Sequence, residues 1–201
     1  MSILLDAGPA LTFLAVGQEN VLIQLALAGS MDLSAPERVD KEVRGKSRDP
    51  RFARTGVHRK WETLKAAGRL RILLDDLDGG IFEDAVGRIA GMPAQDRVRR
   101  KSSLGEIMVI AHGSVLAQQG EDVVVHIDER DGRRRAGREI AWLRRQGAPG
   151  QMRLWTTPQI ILQAKERDGW IVGSLDWREV YRRMQAFDDG LPPLSEILGR
   201  G

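Results

Sequence analysis

Asp6 ends the run ILLD, Asp128 and Glu129 end VVVHIDE, and Thr156 and Thr157 end RLWTT. Each of these polar groups follows a short apolar segment with the character of a buried strand. In open α/β sheets, ligands bind beyond the carboxyl ends of the strands. Two more acids fall on helical segments: Glu42 in ERVDKEV, beside the apolar Val39 and Val43, and Glu106 at the head of the apolar stretch SSLGEIMVIA. Should these carboxylates converge, they repel. Two like charges about 4 Å apart cost roughly 4 kcal/mol at an effective dielectric near 20. Protons or a cation must offset that repulsion. A donor set made only of oxygen selects Mg²⁺ or Mn²⁺, hard ions that keep bound waters. Such an ion polarises a phosphoryl oxygen and lowers the pKa of its water, which is the chemistry of phosphodiester hydrolysis.

Every acid also has a purely structural reading. Ser103, Leu104, Gly105 and Glu106 match S-x-x-E, the capping box that satisfies orphan N–H groups at a helix start. A first-turn carboxylate can be both cap and ligand. Asp6, in D-A-G-P, can cap the helix it precedes, and Asp128 or Asp131 can cap the basic helix that follows them. Glu42 can be an ordinary surface glutamate. Asp75 and Asp76 end LRILLDD in the same fashion, so acids at strand ends are not rare in this chain.

The elements that must position these groups follow from patterning. Short apolar runs (3–5, 21–25, 70–74, 123–127, 152–156) read as strands. They alternate with helices near 9–16, 35–44, 80–90, 104–118, 132–145 and 158–167, the last opened by Pro158. This alternation predicts an α/β fold, a parallel sheet in a three-layer α/β/α sandwich. VVVHI has the continuous apolar character of a central strand. GWIVGSL at 169–175 fits a strand or a loop, the charged stretch 45–60 reads as a loop, and a helix near 176–187 and a short one after LPPL close the chain.

A length of 201 residues, 42% of them hydrophobic, suits one domain with a proper core. The absence of cysteine excludes disulfides and thiolate metal sites, and three histidines without H-x-x-x-H spacing argue against a zinc centre. The formal net charge is +3, with basic residues clustered at 44–60, 97–101 (RVRRK) and 133–135, a balance compatible with nucleic acid. The apolar N-terminus lacks a basic leader segment and is broken by Asp6 and Pro9, and no long uncharged run occurs elsewhere. The expectation is a cytoplasmic protein. No G-x-G-x-x-G follows the first strand, which speaks against a dinucleotide enzyme. The five tryptophans are expected mostly in the core.

Asp6 in ILLDAGPALTFLA, Glu42 in VDKEV, Glu106 in SLGEIMVIAHG and the block IDERDGRRRA at 127–136 resemble the PIN-domain ribonucleases, most closely the toxin halves of bacterial and archaeal toxin–antitoxin pairs. TTPQIILQAKERDGWI and LPPLSEIL resemble the same branch, and the basic stretch 45–69 is its least typical part. The resemblance implies a single PIN-like nuclease domain: a Mg²⁺- or Mn²⁺-dependent endoribonuclease with a neutralising antitoxin protein and commonly a homodimer. It assigns metal ligation to Asp6, Glu106 and Asp128 or Glu129, a direct or water-mediated role to Glu42, and a hydroxyl at the site's edge to Thr157. Two other functions fit the same residues: a metal-dependent nuclease acting on structured DNA, and a degenerate module that only binds RNA or a partner.

Overall fold

The apolar runs SILL and VVVH are buried at every position and pair side by side as parallel strands, which makes them the centre of a sheet. The computed structural model describes residues 1–100 and 102–198. In chain order its elements are β1 (Ser2–Leu5), α1 (Ala7–Ala15), α2 (Glu19–Ala28), β2 (Asp32–Pro36), α3 (Glu37–Lys46) and α4 (Val57–Ala66). There follow β3 (Arg71–Leu73), α5 (Ile81–Ala90), α6 (Ala94–Arg97), α7 (Leu104–Gln118), β4 (Val123–His126) and α8 (Arg130–Arg145). The chain closes with β5 (Met152–Trp155), α9 (Thr157–Lys165), α10 (Trp177–Gln185) and α11 (Leu194–Leu198).

All five strands are parallel, in the order β3-β2-β1-β4-β5. The chain moves from β1 toward one edge and from β4 toward the other, so right-handed crossovers place the connecting helices on opposite faces. Helix α7 lies across the sheet with α5 and α8 beside it, while α1, α2, α9 and α10 pack on one another in the other layer. This is the expected three-layer α/β/α architecture. Its topological switch point falls between β1 and β4, where the crevice of such sheets opens. The register pairs Leu5 with His126 and His126 with Trp155, so three strands end level and their next residues emerge at one rim.

Helix α7 explains how an apolar stretch can open on a carboxylate. Leu104, Glu106 and Ile107 to Ala111 are all buried, because the helix is covered on every side by the sheet and its two neighbours.

Two local expectations give way. Residues 21–25 are helix, not strand: Val21, Leu22, Leu25 and Ala26 face the core with helical spacing. The second strand is instead DLSAP at 32–36, which is polar in composition yet buried over its last four residues by strands on both sides. The stretch 45–60 is not a loop throughout, since Val57, Trp61 and Leu64 drive α4 into the core. Of the two alternatives for GWIVGSL, the structure shows the loop. Lys101 and residues 199–201 of the expected basic cluster and tail lie outside the described residues. Among the described residues, no single helix is long and apolar enough to cross a membrane.

Candidate functional site

Asp6 leaves β1 as the N-cap of α1, its carboxylate accepting from the Gly8 N–H at 3.4 Å. It is buried, and that burial pushes its pKa up to about 6, with Glu42 adding to the rise. Glu106, in the first turn of α7, is buried too and is pushed to about 7, first by burial and then by the charges of Asp6 and Glu129. Its Oε2 is shut off from solvent and has no hydrogen-bond partner among the described residues. The capping box expected at Ser103 is not formed: Ser103 adopts φ 51° and its side chain makes no capping bond. Glu106 is therefore not occupied as a cap. A buried carboxylate oxygen without a partner is expensive unless something neutralises it.

Two glycines make room for this grouping. A Cβ on Gly132, in the first turn of α8, would stand 2.9 Å from Glu106 Oε2 and 2.7 Å from Ile127 Cγ2. A Cβ on Gly105 would stand 3.0 Å from Glu42 Oε2. Both glutamates thus rest on bare backbone where a neighbouring helix begins. Glu42 is held by Arg38, whose Nε donates to Oε1 at 3.0 Å.

The pair after β4 divides its tasks. Both oxygens of Asp128 turn to the start of α9: Oδ1 accepts from the Thr157 N–H at 2.7 Å and Oδ2 from the Thr157 hydroxyl at 2.5 Å. Burial pushes Asp128 up, against those two bonds and Arg133. His126 Nε2 lies 3.1 Å from the same hydroxyl. Burial drops the His126 pKa to about 3, so the ring is neutral. With the hydroxyl donated to Asp128, Nε2 carries the ring proton. Glu129 caps α8, as neither Asp128 nor Asp131 does: it accepts from the Gly132 N–H at 2.9 Å. Of the adjacent acids, Glu129 is the one whose charge reaches Glu106. Thr157 is buried behind Asp128 rather than standing at the open edge.

Asp6, Glu42, Glu106, Asp128 and Glu129 line one cleft of about 590 Å³. The cleft has further lining, of which the basic stretch 44–60 is marked in the sequence by its charge and residues 187–189 are not. That lining comes from Lys46, Asp49 and Arg51 and from Phe187, Asp188 and Asp189 after α10. Arg51 bonds the Phe187 carbonyl at 3.1 Å and Asp189 at 3.2 Å, and the rings of Phe52 and Phe187 stack at 5.6 Å. Burial and the charge of Asp128 push Asp188 up as well. The sequence signal was a pair of adjacent acids in FDDG, which spacing alone does not connect to Asp6.

Several basic residues serve the fold. Arg97 is buried and donates to the Arg100 and Ser102 carbonyls. Lys60 donates to the Leu14 carbonyl at 2.6 Å, and Lys65 pairs with Asp40 at 2.8 Å. Trp61 is buried on Asp40, and Trp142 lies under Arg88.

Oxygen donors, a buried partnerless Oε2 and two carboxyls held near neutrality suit a hard divalent cation. The fit is confined to Asp6 and Glu106, with Glu42 and Glu129 beside them; the Asp128 oxygens are already satisfied. As the side chains are placed, no three His, Asp or Glu groups among the described residues are arranged to hold an ion. No family model, curated protein or solved structure matches this chain.

Proposed function

We propose that the protein is a divalent-metal-dependent endoribonuclease of PIN-like type, with Asp6 and Glu106 as its principal metal ligands. The observation that carries this reading is the buried, partnerless Oε2 of Glu106, surrounded by Asp6, Glu42 and Glu129 at the sheet's switch point. Among the described residues nothing donates a hydrogen bond to that oxygen, and a cation would use it.

Bound there, Mg²⁺ or Mn²⁺ would supply Lewis-acid activation of water and charge neutralisation at a phosphate. The chain's own part is to hold the carboxylates. Asp6 is fixed by the α1 N-terminus and Glu42 by Arg38. Glu129 adds negative charge while capping α8. Asp128 acts at one remove: locked to Thr157, it sets the wall of the cleft and joins β4 to α9. The neutralising partner and the homodimer implied by the resemblance belong to the same proposal.

The test is cleavage of single-stranded RNA and of branched DNA, in EDTA and in millimolar Mn²⁺ or Mg²⁺. The account expects metal-dependent cutting of RNA that is lost in both Asp6→Asn and Glu106→Gln. Cutting of branched DNA alone would favour the structured-DNA nuclease. No cutting of either, with RNA still bound, would favour the degenerate binding module.

A further inference from the structure

Beside the acidic cleft lies a second, larger groove of about 780 Å³, and the two share Asp128 and Gly190 as a common sill. Its walls differ in chemistry. One is the first turns of α8, where Arg130, Arg133 and Arg134 are exposed and line the groove. Spacing of three and four residues puts them on one helix face. Arg134 is engaged with Asp131 at 3.2 Å, whereas Arg130 and Arg133 make no hydrogen bond or ion pair among the described residues. The other wall presents apolar side chains, Leu154, Pro158 and Leu162 on the β5–α9 side and Leu191 and Pro192 on the tail, interrupted by Thr156, Gln159 and Glu196.

We propose that this groove carries the single-stranded nucleic acid that continues from the phosphate held in the acidic cleft, its backbone on Arg130 and Arg133 and its bases against the apolar wall. The proposal rests on the nuclease reading for what occupies the cleft. Two observations select the occupant. A row of exposed guanidiniums, two of them outside any hydrogen bond or ion pair among the described residues, matches a polyphosphate backbone. An apolar wall facing that row fits bases that are unpaired and splayed, and a duplex, which hides its bases, would leave it empty. Continuity with the cleft supplies the direction: Asp128 and Gly190 stand at the junction, so a strand bound in one groove runs into the other.

The experiment measures fluorescence anisotropy of labelled oligouridylate and of an RNA duplex in EDTA, over a series of salt concentrations, with wild type and Arg130→Gln/Arg133→Gln. Both arginines are exposed, so folding is not at issue. Each phosphate contact on a single strand contributes a slope of about −0.7 in log K against log salt. The double variant should therefore flatten the wild-type slope by roughly 1.4, and the duplex should bind more weakly than the single strand. An unchanged slope, equal binding of the duplex, or equal competition by polyglutamate would each overturn the proposal, the last in favour of an acidic peptide as occupant. Metal-dependent RNA cleavage with an unchanged slope removes the groove and leaves the nuclease. An arginine-dependent slope without cleavage removes the nuclease and leaves the groove as a strand-binding site.

Discussion

Glu106 is the residue on which the reading turns, and its titration can be tested without any substrate. Its folded pKa of about 7 stands above the ordinary carboxylate value, and that of Asp6 stands at about 6. Raised carboxyl values mean that the folded state holds protons the unfolded chain has released. Asp6 and Glu106 therefore contribute stability that is lost as pH rises from about 4 to 7, while buried, neutral His126 contributes in the opposite sense, so the share of Glu106 is read as the difference between wild type and Glu106→Gln. Each pKa unit corresponds to about 1.4 kcal/mol. Glu106→Gln removes the charge, so it should raise the metal-free melting temperature at pH 7.5 and change little at pH 4. A fall at pH 7.5 would mean that the ionised carboxylate stabilises the fold. Gly132→Ala gives a second readout. Within a helix, Gly to Ala ordinarily adds roughly 0.5–1 kcal/mol of stability. Here the new methyl meets Ile127 and Glu106, so a loss of about 1–3 kcal/mol in denaturant unfolding is expected. The acids were legible as residues, because strand ends and helix starts mark them. Their glycine seats were not, since a glycine in LGE or RDG reads equally well as a turn.

Among the elements, the strongest couplings join helix starts to the strands and helices beside them. Asp128, at the end of β4, accepts twice from Thr157 at the head of α9, and Asp75, beyond β3, accepts from the Arg38 N–H in α3 at 2.7 Å. Asp75 also bonds His112 on α7 at 2.8 Å. Thr157→Val keeps the shape but strips the hydroxyl from Asp128 and His126. It should cost about 1–3 kcal/mol, measured by chemical unfolding. On the far side, Glu139 of α8 is held by Arg88 of α5 at 2.6 Å and by Ser114 of α7 at 2.6 Å. Arg88→Ala leaves that buried carboxylate without its cation, a loss of about 3 kcal/mol. Elements driven by long apolar periodicity (α7, β4, α8) were legible. β2 was not, because its burial comes from β1 and β3 and not from DLSAP itself. The run VLIQL misled because four apolar residues in five satisfy both a strand and a helix. For α4, Val57, Trp61 and Leu64 lie at helical spacing but are diluted by basic residues.

For the whole molecule, the parallel order β3-β2-β1-β4-β5 puts the switch point at β1 and β4, and the acids stand at that crevice. The tail completes it: Asp188 and Asp189 line the same cleft as Asp6, held through Arg51 by contacts more than a hundred residues apart in sequence that no local pattern encodes. The central claim is that this cleft holds a divalent cation on Asp6 and Glu106. It is tested most directly by melting the protein in EDTA and again in millimolar Mn²⁺, with wild type, Glu106→Gln and Asp128→Asn side by side. At 100 times its Kd an ion adds about 2.7 kcal/mol. At about 2–4 °C per kcal/mol for a chain of this size, wild type should gain roughly 5–10 °C. Glu106→Gln should gain nothing, while Asp128→Asn melts lower in EDTA but keeps the metal-dependent gain. A gain that survives in Glu106→Gln, or that is absent from wild type, would contradict the account.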